Sequence, residues 1–133
     1  AGITLYTVGS IKDIPGVRKY VSVDGGMTDN IRPALYQAKY RAIAANKAEA
    51  PATETVTVCG KCCESGDQLG EHGALPEGKP GDILAVRSTG AYNYSMASCY
   101  NRNPIPPVVM VKDGADRVIV KGMTYEQIVE NDI

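Results

Sequence analysis

The sequence predicts a mainly β fold, a barrel or sandwich of about six or seven short strands joined by turns, with only short helices. Three observations carry this. Short β-forming segments recur along the chain, the cleanest being the alternating run Glu54-Thr55-Val56-Thr57-Val58-Cys59. Gly and Pro stand between them as punctuation. Two further β-forming runs flank Asp113-Gly114-Ala115-Asp116, a hairpin signature.

In chain order, residues 3–8 alternate as a half-buried strand does, and residues 9–16 read as a loop closed by Asp13, Pro15 and Gly16. Residues 18–23 form a second strand on the β-propensity of Tyr20, Val21 and Val23. Gly25-Gly26 ends it with a sharp turn. Asp29 or Asn30 is suited to cap a short helical turn with Pro33 near its first position.

Residues 34–50 favour helix by their Ala, Lys and Gln content and have almost no β-branched residues. After the strand at 54–59, residues 68–80 read as loop, with Gly70, Gly73, Gly78, Pro76 and Pro80. The apolar run within residues 82–87 predicts a strand. Residues 94–100 can form a short helix, and Pro104, Pro106 and Pro107 make 101–107 irregular. Residues 108–112 and 117–121 are the arms of the hairpin. Thr124-x-x-Gln127 is a capping box for a last helix over residues 125–131.

At 133 residues the chain has room for one domain and a core. A net charge of −1 and scattered basic residues recommend neither nucleic acid nor a membrane surface. No apolar run approaches the roughly 20 residues of a membrane helix. Eight Tyr with no Phe or Trp mean that tyrosine must serve both the core and any aromatic site. No leader-like stretch is present, so the four cysteines are expected in a reducing compartment without a disulfide framework. The opening Ala1-Gly2-Ile3-Thr4, without Met, reads as part of a longer protein.

The chemistry-bearing stretch is Cys63-Glu64-Ser65-Gly66-Asp67, which follows the cleanest strand. A thiol can hold or give up a proton near neutral pH when its surroundings tune it. A carboxylate beside it can take a cationic group of a substrate. Arg32, before Pro33, offers a guanidinium fork for a carboxylate, or is a solvated loop residue. Tyr36 is four residues on, on the same side of a helical turn. Tyr92 follows the small residues Gly90-Ala91, which allow close approach, and otherwise fills core. Cys59-Gly60-Lys61-Cys62 has half the ligands of a zinc site, and His72 reads as a solvated loop residue. Cys59 and Cys62 are read as small, half-buried strand residues.

Val23-Asp24-Gly25-Gly26-Met27, Asp29-Asn30-Ile31-Arg32-Pro33-Ala34-Leu35-Tyr36, Cys63-Glu64-Ser65-Gly66-Asp67, Gly81-Asp82 and Gly90-Ala91-Tyr92, continuing through Tyr100-Asn101 and Pro104, together resemble the C-terminal domain of the diaminopimelate decarboxylases. The resemblance implies a single Greek-key-like β-barrel domain over residues 1–133, with a short strand at 40–44 in place of helix. It implies a cofactor-binding TIM-like barrel outside this chain, since none of the eight lysines matches the cofactor lysine and no glycine-rich phosphate loop is present. It implies a cytoplasmic enzyme, dimeric at full length, converting meso-2,6-diaminopimelate to L-lysine and CO2 with pyridoxal 5'-phosphate. In that scheme Cys63 protonates the α-carbon from the partner subunit. Glu64 takes the far ammonium of the substrate, Arg32 its far carboxylate with Tyr36 assisting, and Tyr92 touches cofactor and substrate. Cys62 adjoins Cys63, and Glu64 assigns the role to Cys63. This fragment by itself is expected to be inactive.

Two alternatives follow from the same residues. One is a small metal-binding or redox module using Cys59, Cys62 and Cys63. The other is the barrel of an ornithine- or arginine-type decarboxylase, whose pattern carries aspartate after the cysteine where Glu64 stands here.

Overall fold

The computed structural model describes residues 2–133, apart from the side chains of Glu71 and His72. The expectation of a solvated His72 therefore lies outside the described residues. Among the described residues eight strands form two sheets. The larger contains β1 (Ile3–Ile14), β2 (Arg18–Val23), β3 (Ala42–Ala44), β4 (Glu54–Cys59), β5 (Gln68–Leu75) and β6 (Ile83–Arg87), in the order β3-β6-β1-β2-β4-β5. Its two edge strands, β3 and β5, approach one another, so the sheet curls into a half-barrel.

β1 is longer than its sequence predicts. Residues 9–16 are not all loop: the chain stays extended to Ile14 and turns only at Pro15-Gly16, where Gly16 takes φ 73°. The first half of β1 pairs with β6 (Ile3↔Arg87 to Thr7↔Ile83), the second half with β2 (Ile11↔Val21 to Ile14↔Arg18). A register shift between Val8 and Ile11 makes this change of partner. Such a bulge bends a strand and breaks the alternation that would announce it.

β5 is a second correction, since residues 68–80 read as loop. It pairs antiparallel with β4 along its length, from Cys59↔Gln68 to Glu54↔Leu75. Its register shifts twice against β4, beside Gly70 and Gly73. Glycine inside a strand marks a bulge or a close approach as readily as a loop. Leu69 and Leu75 carry its inward face.

The ambiguity over residues 34–50 resolves toward the short strand. Helix stops at Tyr36, β3 pairs with β6 through Ala42↔Val86 to Ala44↔Leu84, and a single 3-10 turn follows over Ala45–Lys47. Here sheet pairing overrides intrinsic helix propensity.

The core lies inside the curl. Tyr6 and Val8 of β1, Val21 and Val23 of β2, Val56 and Val58 of β4, Leu69 and Leu75 of β5, and Leu84 and Val86 of β6 form one cluster. Each fully buried aliphatic side chain contributes about 1.5–3 kcal/mol. Aliphatic and tyrosine side chains fill a core that holds neither Phe nor Trp.

Beyond β6, α2 (Asn93–Met96) and a 3-10 turn at Tyr100–Arg102 replace the helix expected at 94–100. The predicted hairpin forms as β7 (Val108–Lys112) and β8 (Ala115–Val120), a separate two-stranded sheet turning through Asp113 and Gly114 at φ 52° and 76°. The last helix, here α3 (Tyr125–Val129), starts with the predicted capping box: the Gln127 amide donates to Thr124 Oγ1 at 3.3 Å, and the Thr124 amide donates to Gln127 Oε1 at 2.8 Å. It ends two residues before its predicted limit. Among the described residues no helix is long and apolar enough to cross a membrane.

Candidate functional site

Three loops at one end of the half-barrel carry the candidate residues. The first leaves β2 at Gly25-Gly26. Glycine is required at 25 by packing, since a Cβ there would lie 2.3 Å from Cε1 of Tyr6. The amides of Asp29 and Asn30 both donate to the Gly26 carbonyl, at 3.1 and 3.0 Å, and wind the chain into a turn.

Asp29 does not cap the helix that follows. Its carboxylate accepts from the Gly26 amide at 3.0 Å, from Thr28 Oγ1 at 3.2 Å and from the buried Tyr6 hydroxyl. Burial is the main cause that pushes the Asp29 carboxyl above the usual range, and the Tyr6 hydrogen bond works against it. The Tyr6 phenol is pushed up by burial first, then by the Asp29 charge. Asn30 is buried and its side-chain amide makes no hydrogen bond among the described residues, so it caps nothing either. The helix, here α1 (Arg32–Tyr36), begins at Ile31 with no side-chain cap, and Pro33 sits in its first turn as predicted.

Arg32 and Tyr36 share a side of α1, with the guanidinium carbon 5.4 Å from the centre of the Tyr36 ring. Tyr92 arrives from the second loop and lies closer, at 4.8 Å. Its backbone takes φ 71° on the way into α2. The buried Asn93 holds that loop to the first by donating to the Asp29 carbonyl at 3.5 Å. Both rings are more than half exposed. Among the described residues the Arg32 guanidinium has no hydrogen bond and no carboxylate partner. Its flat faces rest near two aromatic rings, and its N–H fork is open to a ligand.

The third loop follows β4. Cys62 is 1% exposed, while Cys63 takes φ 53° and is exposed, as is Glu64. A left-handed residue reverses the side-chain direction at that point. The two adjacent thiols thus have opposite environments. Burial, and then the nearby Asp67 charge, push the Cys62 thiol up; burial does the same to Cys59. Glu64 accepts from Ser65 Oγ at 3.1 Å. A Cβ on Gly66 would lie 3.9 Å from the Ala34 Cβ of α1, so the thiol-bearing turn adjoins the arginine-bearing helix. Cys63 and Glu64 make no hydrogen bond, ion pair or ring contact with Arg32, Tyr36 or Tyr92 among the described residues.

Asp67 is the residue that the sequence did not single out. It is 2% exposed and accepts the Met27 amide at 2.6 Å and the Cys62 amide at 2.8 Å. Its only sequence signal is its place at the end of the thiol turn. Cys59, Cys62 and Cys63 do not form a metal cluster: among the described residues no three His, Cys, Asp or Glu side chains converge.

The profile of the family described as pyridoxal-dependent decarboxylase, C-terminal sheet domain, matches residues 1–90. The diaminopimelate decarboxylase of Bacillus subtilis is 62% identical over 133 residues, covering 100% of this chain and 30% of that protein. A crystal structure of diaminopimelate decarboxylase from M. jannaschii in complex with L-lysine superposes with a TM-score of 0.89 at 35% identity, covering 98% of this chain and 30% of that one. The Helicobacter pylori enzyme, also solved with L-lysine, gives a TM-score of 0.87 at 34% identity over 98% of this chain and 31% of its own. The chain thus spans about 30% of the length of these relatives. The matched profile, the curled sheet and similarity along the whole chain agree: this chain belongs to the pyridoxal-dependent decarboxylase family, as a C-terminal sheet domain.

Proposed function

We propose that this chain is the C-terminal domain of a pyridoxal-phosphate-dependent carboxy-lyase that converts meso-2,6-diaminopimelate to L-lysine and CO2, working in the cytoplasm as a homodimer. The observation that carries this reading is the open guanidinium fork of Arg32, set near Tyr36 and Tyr92 with no anionic partner among the described residues. A fork in that setting suits a carboxylate through paired hydrogen bonds. The substrate class has a carboxylate and an ammonium at the end that does not react. Arg32 takes the first, with the Tyr36 hydroxyl adding a hydrogen bond. Glu64, exposed on the neighbouring turn, takes the second. A substrate without these charges leaves the Arg32 fork and the Glu64 carboxylate without their partners and binds less tightly.

Tyr92 would touch both the flat aromatic cofactor and the substrate, since the residue is 63% exposed and its loop is tied down by Asn93. When bound, pyridoxal phosphate supplies the electron sink for the electrons left by departing CO2. Its lysine and phosphate contacts belong to a TIM-like barrel in the remainder of the protein. Cys63 holds the proton and delivers it to the α-carbon from the partner subunit. The exposed setting of Cys63 beside the buried Cys62 supports that choice of thiol.

The test is CO2 release from meso-2,6-diaminopimelate by the full-length protein with pyridoxal phosphate, beside ornithine and arginine as rival substrates and the 133-residue chain alone as a control. The reading predicts release from diaminopimelate only, and none from the isolated chain. Turnover of ornithine or arginine in preference to diaminopimelate overturns it.

A further inference from the structure

We propose that Asp67 is a positioning residue of this site, its buried carboxylate clamping the loop that carries Cys63 to the loop that leads into Arg32. The proposal rests on the reading above for what the site does, and on geometry alone for what Asp67 does.

Each carboxylate oxygen serves a different loop. Oδ1 accepts the Met27 amide at 2.6 Å, five residues before Arg32, and Oδ2 accepts the Cys62 amide at 2.8 Å, one residue before Cys63. Both loops open a space for it by having no side chain. A Cβ on Gly26 would lie 2.5 Å from Oδ1, and a Cβ on Gly60 would lie 2.3 Å from Oδ2. The backbone completes the clamp. The Gly60 amide donates to the Asp67 carbonyl at 2.9 Å, the Lys61 amide to the Gly25 carbonyl at 3.0 Å, and the Asp67 amide to the Glu64 carbonyl at 3.0 Å. Asn101 donates to the Cys62 carbonyl at 2.6 Å.

Burying a carboxylate is costly unless donors compensate it. Among the described residues Asp67 is in no ion pair, so backbone amides from the two loops supply that compensation. It is also absent from the aliphatic cluster that holds the sheet together. Two acceptor oxygens for two amides is a match only a carboxylate makes: an amide side chain of the same shape offers one acceptor and turns an N–H toward the other loop. With the clamp in place, Cys62 is held in and Cys63 is left facing out. Without it, the Cys62 to Glu64 segment and the Arg32 helix are free to shift against each other, and small displacements of a reacting group are expensive in rate.

The experiment uses the full-length protein in three forms: wild type, Asp67→Asn, and Val56→Ala as a core variant that loosens the fold without touching the clamp. Two readouts are taken on each, the kcat and KM for meso-2,6-diaminopimelate and iodoacetamide labelling resolved at Cys62 and Cys63 by mass spectrometry. In wild type Cys63 labels and Cys62 is protected. Asp67→Asn is expected to raise Cys62 labelling by about tenfold, the equivalent of one charge-assisted hydrogen bond, to lower kcat and to raise KM. Val56→Ala lowers the melting temperature but leaves KM and the labelling pattern as in wild type. If Asp67→Asn does not fold, Gly60→Ala, whose Cβ displaces the carboxylate, is read by the same labels. Wild-type labelling and KM in the clamp variant overturn the proposal, as does the same shift in Val56→Ala. A labelling shift in Asp67→Asn with no decarboxylation by any form, wild type included, supports the clamp and contradicts the assigned reaction.

Discussion

The guanidinium carbon of Arg32 lies 4.8 Å from the centre of the Tyr92 ring, although Arg32 follows β2 and Tyr92 follows β6, the two strands that flank β1 in the sheet. The contact is made possible by Tyr92 at φ 71° and by the Asn93 hydrogen bond to the Asp29 carbonyl. It leaves the arginine beside two aromatic rings and, among the described residues, without a carboxylate partner.

Arg32→Lys in the full-length protein is therefore expected to raise KM for diaminopimelate by about 10- to 100-fold, the equivalent of one lost charge-assisted hydrogen bond. Lysine keeps the charge but loses the fork and the flat face that rests against the rings. Steady-state kinetics check this. An unchanged KM shows that Arg32 is only a solvated loop residue.

A second prediction concerns stability and acid. The buried Asp82 carboxyl is held down to about 2, first by its hydrogen bond to Lys47, with burial opposing, and then by bonds from Asn46 and the Lys79 amide. Its folded value is below the ordinary 3.8, so its contribution is present above that value and lost as pH falls through about 2. The wild-type protein should lose stability over that window. Asp82→Asn should be less stable near neutral pH and show a shallower acid slope. Urea midpoints measured across the window test this, and parallel slopes for the two proteins contradict it.

The elements legible in the sequence are those whose signals are local. The alternation of Glu54 to Cys59, the Asp113-Gly114 turn and the Thr124 and Gln127 caps each need only their neighbours, and each forms as predicted. The strand at Gln68–Leu75 was hidden because Gly70 and Gly73 read as loop residues when they serve a strand whose register shifts. The extension of β1 past Val8 was hidden by the bulge that lets it change partners. At the site, the pairing of Arg32 with Tyr36 follows from helical spacing, whereas Tyr92 is marked in the sequence only by the small residues Gly90-Ala91 before it, and its nearness to Arg32 has no local signal. The role of Asp67 has little local signal because one of its two partners, Met27, is far off in sequence and is brought to it by the parallel pairing of β2 with β4, while the other, Cys62, lies in its own loop. Of the two cap candidates, Asp29 and Asn30, neither serves: a buried tyrosine hydroxyl, far off in sequence, takes the Asp29 carboxylate, and Asn30 is buried.

The proposed role of Cys63, and not of Cys62, is to deliver the α-carbon proton across a subunit interface. In the full-length protein Cys63→Ala should lower kcat by about 10²-fold or more, the usual size of a general-acid contribution, with KM much less affected. Cys62→Ala should behave as a small packing change. The most direct measurement mixes Cys63→Ala subunits with subunits that lack the cofactor lysine. Each homodimer is expected to keep residual activity at most, and the account predicts that activity rises in the heterodimer, where one site keeps both groups. Verified heterodimers that remain inactive, or a Cys62→Ala variant that carries the large loss in kcat, would contradict it.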